Sequence, residues 1–443
     1  MKLLCVYTPF CTPTVMPYSI TYISSFLQSN STIDSQCIDL NAKFHRMRFP
    51  EFYKKVNNKL SVEEFGKILG EFNKVSREVY ALNHNRIVNN KKPELFDELL
   101  EMLLSKKPDI VVFSLVYNSQ APYALKLVEE LNKRKIKCII GGPAVNPKFK
   151  KYAVILEDEI ELIQYLKNSK NDSYNKTIVD FKDYDKEDYL AKEIIYPLRT
   201  SRGCFYRQCT FCTHSLNQKY KEIPLNEIEK TIELNKAKYV FFIDDSITKK
   251  RLMEISDVLK SHDVKWWAQL RPTKDLIDVL KQLSECGLKS IAWGVESGNQ
   301  SILDKMQKGT NVNDIKAILK ESHANGIINT VFIMFGFPGE SKIELLDTIK
   351  FIKENDANID LVSTSVFGLH KGSKIYNNPQ EFGITEIKET ERKFLDLRID
   401  YVTSTGMDKG KTKKMREKYL NAILKMNKLP RAFVTFKEQT LLC

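Results

Sequence analysis

From Ile194 onward the sequence alternates between short apolar runs of strand character and amphipathic helical stretches. The strand candidates are "IIYPLRTS", "AKYVFFIDD", "VKWWAQL", "LKSIAWGVES", "INTVFIMFGFP" and "IDLVSTSVFG". Between them lie "LNEIEKTIELNK", "LMEISDVLKSH", "KDLIDVLKQLSECG", "VNDIKAILKESHANG" and "ELLDTIKFIKEN", each with helical spacing of its apolar residues. Six βα repeats in one run predict a barrel or partial barrel over residues 194–375, with its chemistry at the C-terminal strand ends.

The residues before this run also read as α/β. "KLLCVYTP" predicts a strand, "SITYISSFLQSN" a helix and "SQCIDLNA" a second strand. A charged, leucine-spaced stretch at about 44–107 predicts a helical insertion. "PDIVVFSLVY", "APYALKLVEELNKRK" and "IKCIIGGPAV" then form a strand-helix-strand unit whose apolar runs suit strands buried on both faces. The expected class is therefore α/β: a Rossmann-like open sheet over 1–165, a polar linker at 166–193, a partial (β/α)6 barrel over 194–375, and a helical C-terminal extension at 376–443.

Composition narrows the setting. No stretch reaches the roughly 18 to 20 uninterrupted apolar residues of a membrane span, and Pro9, Pro13 and Pro17 break the early apolar run. The nine cysteines are odd in number, and the six outside residues 204–212 follow no regular spacing, which fits a reducing compartment. These features predict a soluble, cytoplasmic protein without a membrane partner. The net charge of +13 sits largely in solvated helices and in "MDKGKTKKMREKYLNAILKMNK". Lysines without interleaved aromatic platforms do not favour nucleic acid, whereas an acidic peptide or an electron-donor protein would use the same charge.

The chemistry concentrates just after the first barrel strand, in "SRGCFYRQCTFCTHS". Cys204-x4-Cys209-x2-Cys212 places three thiolates on one loop. A structural zinc site takes a fourth Cys or His, and His214 keeps that reading open. Three cysteines favour soft metals and iron-sulfur chemistry, where a four-iron cluster on three thiolates leaves one iron open.

This loop resembles the cluster-binding loop of radical S-adenosylmethionine (SAM) enzymes, with one residue more in the first gap than the usual x3 spacing and an aromatic, Phe211, before the last cysteine. The segments "WGVESGNQSILDKMQKGT" (293–310) and "FIMFGFPGES" (332–341) are similar to the fourth- and fifth-strand segments of that superfamily's barrel. The resemblance implies a 4Fe-4S cluster on Cys204, Cys209 and Cys212, with SAM on the fourth iron. It implies a ribose contact for Glu296 and close backbone approach to the adenine at Gly336 and Gly339. Asp244 or Asp245 is the candidate near the methionine amine, although the family's usual Gly-Gly-Glu is missing, and Arg271 the candidate for the SAM carboxylate.

An open α/β domain before such a barrel resembles the cobalamin-binding branch of the superfamily. "DLNA" (39–42) and "GGPAVN" (141–146) are similar to its corrinoid domain, with Gly141 and Gly142 as the place for a nucleotide tail. The Asp-x-His-x-x-Gly ligand motif is absent there, so a degenerate, cofactor-free domain stays open as well. The implied reaction is cobalamin-dependent C-methylation of a peptide or natural-product substrate, fed by a donor such as flavodoxin or ferredoxin. The alternatives are a radical SAM epimerase or cyclase, with Cys286 as a conceivable hydrogen-atom donor, and a zinc-stabilised RNA-binding protein. No catalytic residue is named by the sequence. Strand alternation turns one of Trp266 and Trp267 to the core and the other to the pocket.

Overall fold

The computed structural model describes residues 1–168, 174–214, 219–392 and 395–443. Its first unit comprises Met1–Pro197, Lys230–Ala237 and Glu391–Leu397; its second comprises Leu198–Glu229, Lys238–Thr390 and Arg398–Cys443.

In the first unit, β1 (Lys2–Tyr7), β2 (Asp34–Asp39), β3 (Ile110–Ser114), β4 (Lys137–Gly141) and β5 (Val154–Ile155) form one sheet in the order β2-β1-β3-β4-β5. All its pairings are parallel. Leu3, Leu4, Cys5 and Val6 are wholly buried, as a strand covered on both faces requires. The strand order reverses between β1 and β3, which is where open α/β sheets bind their ligands.

The insertion between β2 and β3 is helical, with helices Leu40–Arg48, Pro50–Tyr53, Val62–Val88 and Phe96–Ser105. The longest starts on a reciprocal capping box between Ser61 and Glu64. Phe44, Phe49, Phe72 and Tyr80 pack around His45, whose Nδ1 lies 2.6 Å from the Asn41 carbonyl and whose Nε2 meets the Tyr80 hydroxyl. Burial lowers the His45 pKa to about 4, so the ring stays neutral.

Residues 174–193 do not behave as the expected linker. Val179, Phe181, Tyr189 and Leu190 are buried. Val179 N donates to Thr231 Oγ1 at 3.1 Å, Phe181 N to Asn235 Oδ1 at 2.9 Å, and Leu190 N to the Pro13 carbonyl at 2.8 Å. The polar composition misled because the few apolar residues of this strap all turn inward.

A second sheet follows the sequence in the order β6-β9-β10-β11-β12-β13, with β6 (Ile195–Leu198) and β13 as its two edges, so the barrel is partial. Between β6 and β9, β7 (Ser201–Arg202) and β8 (Lys221–Glu222) form a small antiparallel pair. The remaining strands are β9 (Tyr239–Phe242), β10 (Lys265–Leu270), β11 (Leu288–Glu296), β12 (Ile328–Phe335) and β13 (Leu361–Val366), parallel throughout. The outer face meets the helices. There Trp266 Nε1 donates to the Cys286 carbonyl at 2.9 Å and Trp293 Nε1 to Asn329 Oδ1 at 2.8 Å. Phe241, Trp267 and Ser290 stand in register on the inner face.

The C-terminal region adds a two-stranded sheet, β14 (Ile384–Arg392) and β15 (Leu395–Thr403), to the expected helix, which spans Lys409–Lys425. "LDLRIDYV" alternates apolar and charged residues, a strand period that the surrounding basic composition masks. Ile387, Ile399 and Tyr401 pack against Phe337 and Phe367. No helix among the described residues is long and apolar enough to cross a membrane.

Asp39 gives the first unit a pH dependence. Its carboxylate caps the helix at Ala42 N, 2.9 Å away, and accepts from Tyr189 OH at 2.9 Å. Burial nevertheless pushes its pKa up to about 7. The folded chain thus keeps this proton up to about pH 7, while the unfolded chain loses it near pH 4. Between those values the native state binds more protons, so this group's contribution to stability falls as pH rises, by on the order of a few kcal/mol. Asp39→Asn should remove that part of the slope; denaturant midpoints measured from pH 4.5 to 8 with parallel profiles for both proteins would refute it.

Candidate functional site

The cysteine loop begins where β6 ends, and the carboxylate of Asp244, just past β9, fixes its direction. Asp244 accepts from Thr200 N at 2.9 Å, Thr200 Oγ1 at 2.8 Å, Ser201 N at 2.7 Å and Ser201 Oγ at 2.7 Å. Burial pushes its pKa up, and these four donors oppose that shift. The loop then passes through left-handed backbone at Gly203 (φ +68°) and Arg207 (φ +54°).

Three further contacts staple the loop. Tyr206 lies under the Arg271 guanidinium, 3.5 Å from its ring centroid, and donates to the Gln307 carbonyl at 2.9 Å. Thr210 N donates to the Met306 carbonyl at 2.9 Å, and Ile375 N to the Thr210 carbonyl at 3.0 Å. Phe211 packs against the apolar cluster of Ile302, Met306, Phe337 and Ile375. Cys204, Cys209 and Cys212 are left half-buried with free thiols.

Three thiols on one loop are one short of the four ligands of a structural zinc site, whereas a four-iron cluster held by three thiolates leaves its fourth iron open. His214 points its Nδ1 at Asp245 Oδ1, 2.7 Å away, and that carboxylate raises the imidazole pKa.

Facing the sulfurs is a buried ion pair that sequence reading missed. Lys308 Nζ lies 2.9 Å from Glu296 Oε1, with side chains only 10% and 16% exposed. Burial alone would depress the Lys308 ammonium, but Glu296, Cys209 and Cys212 together hold it above its ordinary value. Burial pushes both the Cys209 and Cys212 thiols up, and Lys308 pulls Cys209 back. Glu296 has φ +67° at a break in the β11–β12 register, an uncommon conformation for a residue with a side chain. Gly294 makes room for the pair: a Cβ there would stand 2.9 Å from Lys308 Nζ and 3.2 Å from Glu296 Oε1. Lys308 sits between Gln307 and Gly309 in a loop without periodicity, so nothing in the sequence distinguished it from a solvated lysine.

The other anticipated residues divide. Arg271 is at the mouth, its Nη1 donating to the Lys308 carbonyl at 3.2 Å while its Nε is buried without a partner. Gly336 (φ +78°) donates its N–H to Glu340, and the space its missing Cβ leaves is filled by Thr412. Burial pushes the Glu340 carboxyl up to about 7, and its Oε1 has no partner. Cys286 is buried at a helix end just ahead of β11, and its carbonyl accepts from Trp266.

In the first unit, Gly141 and Gly142 serve the chain's own packing instead of leaving room for a nucleotide tail. A Cβ on Gly142 (φ +107°) would lie 2.3 Å from the Leu115 carbonyl oxygen, and one on Gly141 2.9 Å from that of Leu156. A different group is open at the β1/β3 reversal: the Thr8 hydroxyl, wholly buried and without a partner.

Residues 198–352 match the radical SAM superfamily. An uncharacterized methyltransferase of Pyrococcus horikoshii is 31% identical over 188 residues, 40% of this chain and 40% of that protein. The ribosomal protein uS12 methylthiotransferase of Caldanaerobacter subterraneus subsp. tengcongensis is 28% identical over 198 residues, 40% and 44% of the two chains. The chain thus spans less than half the length of either relative. Among solved structures, the apo form of OxsB, a cobalamin-dependent S-adenosylmethionine radical enzyme, superimposes with a TM-score of 0.63 at 15% identity, covering 95% of this chain and 66% of that one. TsrM from Kitasatospora setae, a radical S-adenosylmethionine methyltransferase solved with cobalamin and a [4Fe-4S] cluster, gives 0.61 at 11% identity, covering 92% and 82%. At these identities the likeness is one of fold.

Asp244 and its neighbour are separable by mutation. Asp244→Ala strands four buried donors and should cost at least about 3 kcal/mol, with iron uptake after anaerobic reconstitution falling alongside. Asp245→Ala releases only His214 and should stay within about 0.5 kcal/mol of wild type. Equal denaturation midpoints for the two variants would show that Asp244 does not direct the loop.

Proposed function

We propose that this chain, which carries a radical SAM domain over residues 198–352, is a radical SAM methyltransferase that uses cobalamin to methylate an unactivated carbon. The observation that carries the reading is the mouth of the second unit. Three half-buried thiols on one loop face the buried Lys308–Glu296 pair at the C-terminal ends of a parallel βα barrel, and His214, the fourth ligand a zinc would need, is engaged by Asp245. A four-iron cluster held there would supply the electron for reductive cleavage of SAM, and cobalamin would supply the methyl group.

The chain's own residues do the holding. Cys204, Cys209 and Cys212 ligate the cluster, and Lys308 offsets the negative charge that three thiolates bring into a partly dry site. Glu296 keeps one carboxylate oxygen on Lys308 and offers the other to a ribose hydroxyl. Arg271, pinned by Tyr206, offers its unpartnered Nε to the SAM carboxylate. Gly336 is packed against Thr412 and gives its N–H to Glu340, so it is left out of the adenine site. Asp245 acts through His214, beside the last cysteine, and Asp244 through the loop itself.

Cobalamin belongs to the first unit in this reading. The strand order, with its reversal at β1/β3, and the orphaned Thr8 hydroxyl there support a bound ligand. His45 is already engaged by Asn41 and Tyr80, so it is no cobalt ligand. The epimerase alternative loses its hydrogen-atom donor, because Cys286 is buried ahead of the start of β11, at the opposite end of the strands from the cysteine loop. The partners are a peptide or small-molecule substrate and an electron donor such as flavodoxin or ferredoxin.

Anaerobic reconstitution should load about four irons and four sulfides per chain, and turnover with cobalamin should release deoxyadenosine and S-adenosylhomocysteine in step with product. Stoichiometric zinc would overturn the cluster, and deoxyadenosine without S-adenosylhomocysteine would overturn methyl transfer. Glu296→Gln should weaken SAM binding by roughly one to two decades while the iron content holds, as expected when one polar contact is lost. Unchanged SAM affinity by equilibrium dialysis would return Glu296 to a purely structural role.

A further inference from the structure

The inner face of the barrel carries polar groups that neither the cluster nor the SAM contacts use. The segment Lys437–Leu442 lies along it. Thr440 Oγ1 donates to Ser290 Oγ at 2.8 Å, near the start of β11. Lys437 reaches further up, its Nζ 3.4 Å from Gln269 Oε1 near the end of β10. The rings of Phe241, Trp267 and Phe332 surround this amine, with centroids 5.9, 5.1 and 5.4 Å away. Glu438 is the carboxylate whose field it feels, and that side chain accepts instead from Gln439 Nε2 at 3.0 Å.

Trp267 supplies a second donor. Its side chain is 1% exposed, and its indole N–H is buried with no acceptor. The other two tryptophans, on the outer face, both place theirs on an oxygen. A buried N–H without a partner calls for an explanation, and a ligand is one. Lys437, Gln269 and Phe332 are only partly buried although all three belong to the inner face, so the space beside them is open. Phe332 pairs in register with Gly294, which borders the Lys308–Glu296 pair. The Lys437 wall therefore shares one face of the sheet with Gly294, beside the Lys308–Glu296 pair.

We infer that Lys437 and the Trp267 N–H hold a carboxylate of the substrate inside the barrel, with Gln269 beside it and the carbon to be modified directed toward the Cys204–Cys212 loop. Two donors among three aromatic rings suit a planar, singly charged group on an apolar body. A phosphate dianion would ask for more cations than this wall offers. The substrate class is thus a molecule with a free carboxylate, such as an amino acid or a peptide C-terminus. Burial among the rings holds the Lys437 ammonium below its ordinary range, and an anion beside it would restore its charge. The direction of the reacting carbon rests on the radical SAM reading; carboxylate binding does not.

The test compares N-acetyl-leucine with N-acetyl-leucinamide as probes, titrated into the full chain by calorimetry and saturation-transfer NMR. The carboxylate should bind at least about tenfold more tightly than the amide. Lys437→Met should abolish that preference, Lys437→Arg should keep it, and Trp267→Phe should weaken the carboxylate a few fold. Equal binding of the two probes, no carboxylate binding up to about 10 mM, or a Lys437→Met protein that still prefers the carboxylate would each overturn the inference. Should Lys437→Met fail to fold, the amide comparison on wild type and Lys437→Arg still decides it. A wild type that binds the carboxylate but takes up no iron would sink the radical reading and leave this site standing.

Discussion

One carboxylate sets the geometry on which the site depends. Asp244 binds both backbone N–H groups and both hydroxyls of Thr200 and Ser201, so the chain leaving β6 has a single direction available at the barrel mouth. The left-handed turn at Gly203 and the staples at Tyr206, Thr210 and Phe211 act on a loop already aimed. Without that clamp the staples would have to order the loop from a much larger set of conformations, each fixed residue costing about 1 to 2 kcal/mol of backbone entropy. Its position at a strand end had suggested a ligand of SAM; burial and four internal donors assign it to scaffolding instead.

The second constraint is electrostatic. A thiol must ionise to hold metal, yet burial favours the neutral form of Cys209 and Cys212. Lys308 answers this, yet a buried lysine is itself costly unless paired, and Glu296 provides the pair. The pair needs room, which Gly294 leaves open, and a bend, which the positive φ of Glu296 provides. The local strain at Glu296 thus follows from the charge requirement of the cysteines.

This chain of dependence explains what was legible in the sequence. The βα alternation, the cysteine spacing and the strand-end carboxylates are local patterns, and they located the barrel and its mouth. Lys308 is not local: its importance comes from folding back onto Glu296 and the sulfurs, and flanking Gln and Gly residues carry no sign of that. Gly141 and Gly142 misled in the opposite direction, because a bare Cα position tells only that something approaches closely, and here the visitor is the chain's own Leu115 and Leu156 backbone. The strap at 174–193 and the strands at 384–403 were hidden by polar composition, since each buries only alternate or isolated apolar residues.

The two faces of β10 show how far a period of two can be carried. Trp266 and Trp267 are adjacent, equally large and equally buried, so neither propensity nor burial tells them apart. Their hydrogen bonds do. Trp266 faces helices whose ends supply a carbonyl, and its N–H is satisfied within the fold. Trp267 faces the barrel interior, beside Gln269, Ser290 and Lys437, a residue 170 positions later in the sequence, and its N–H has no partner among the described residues. A fold that buries an indole N–H without a partner on the inner side of the barrel, while satisfying both of its outward-facing counterparts, leaves an acceptor to be supplied by something other than itself.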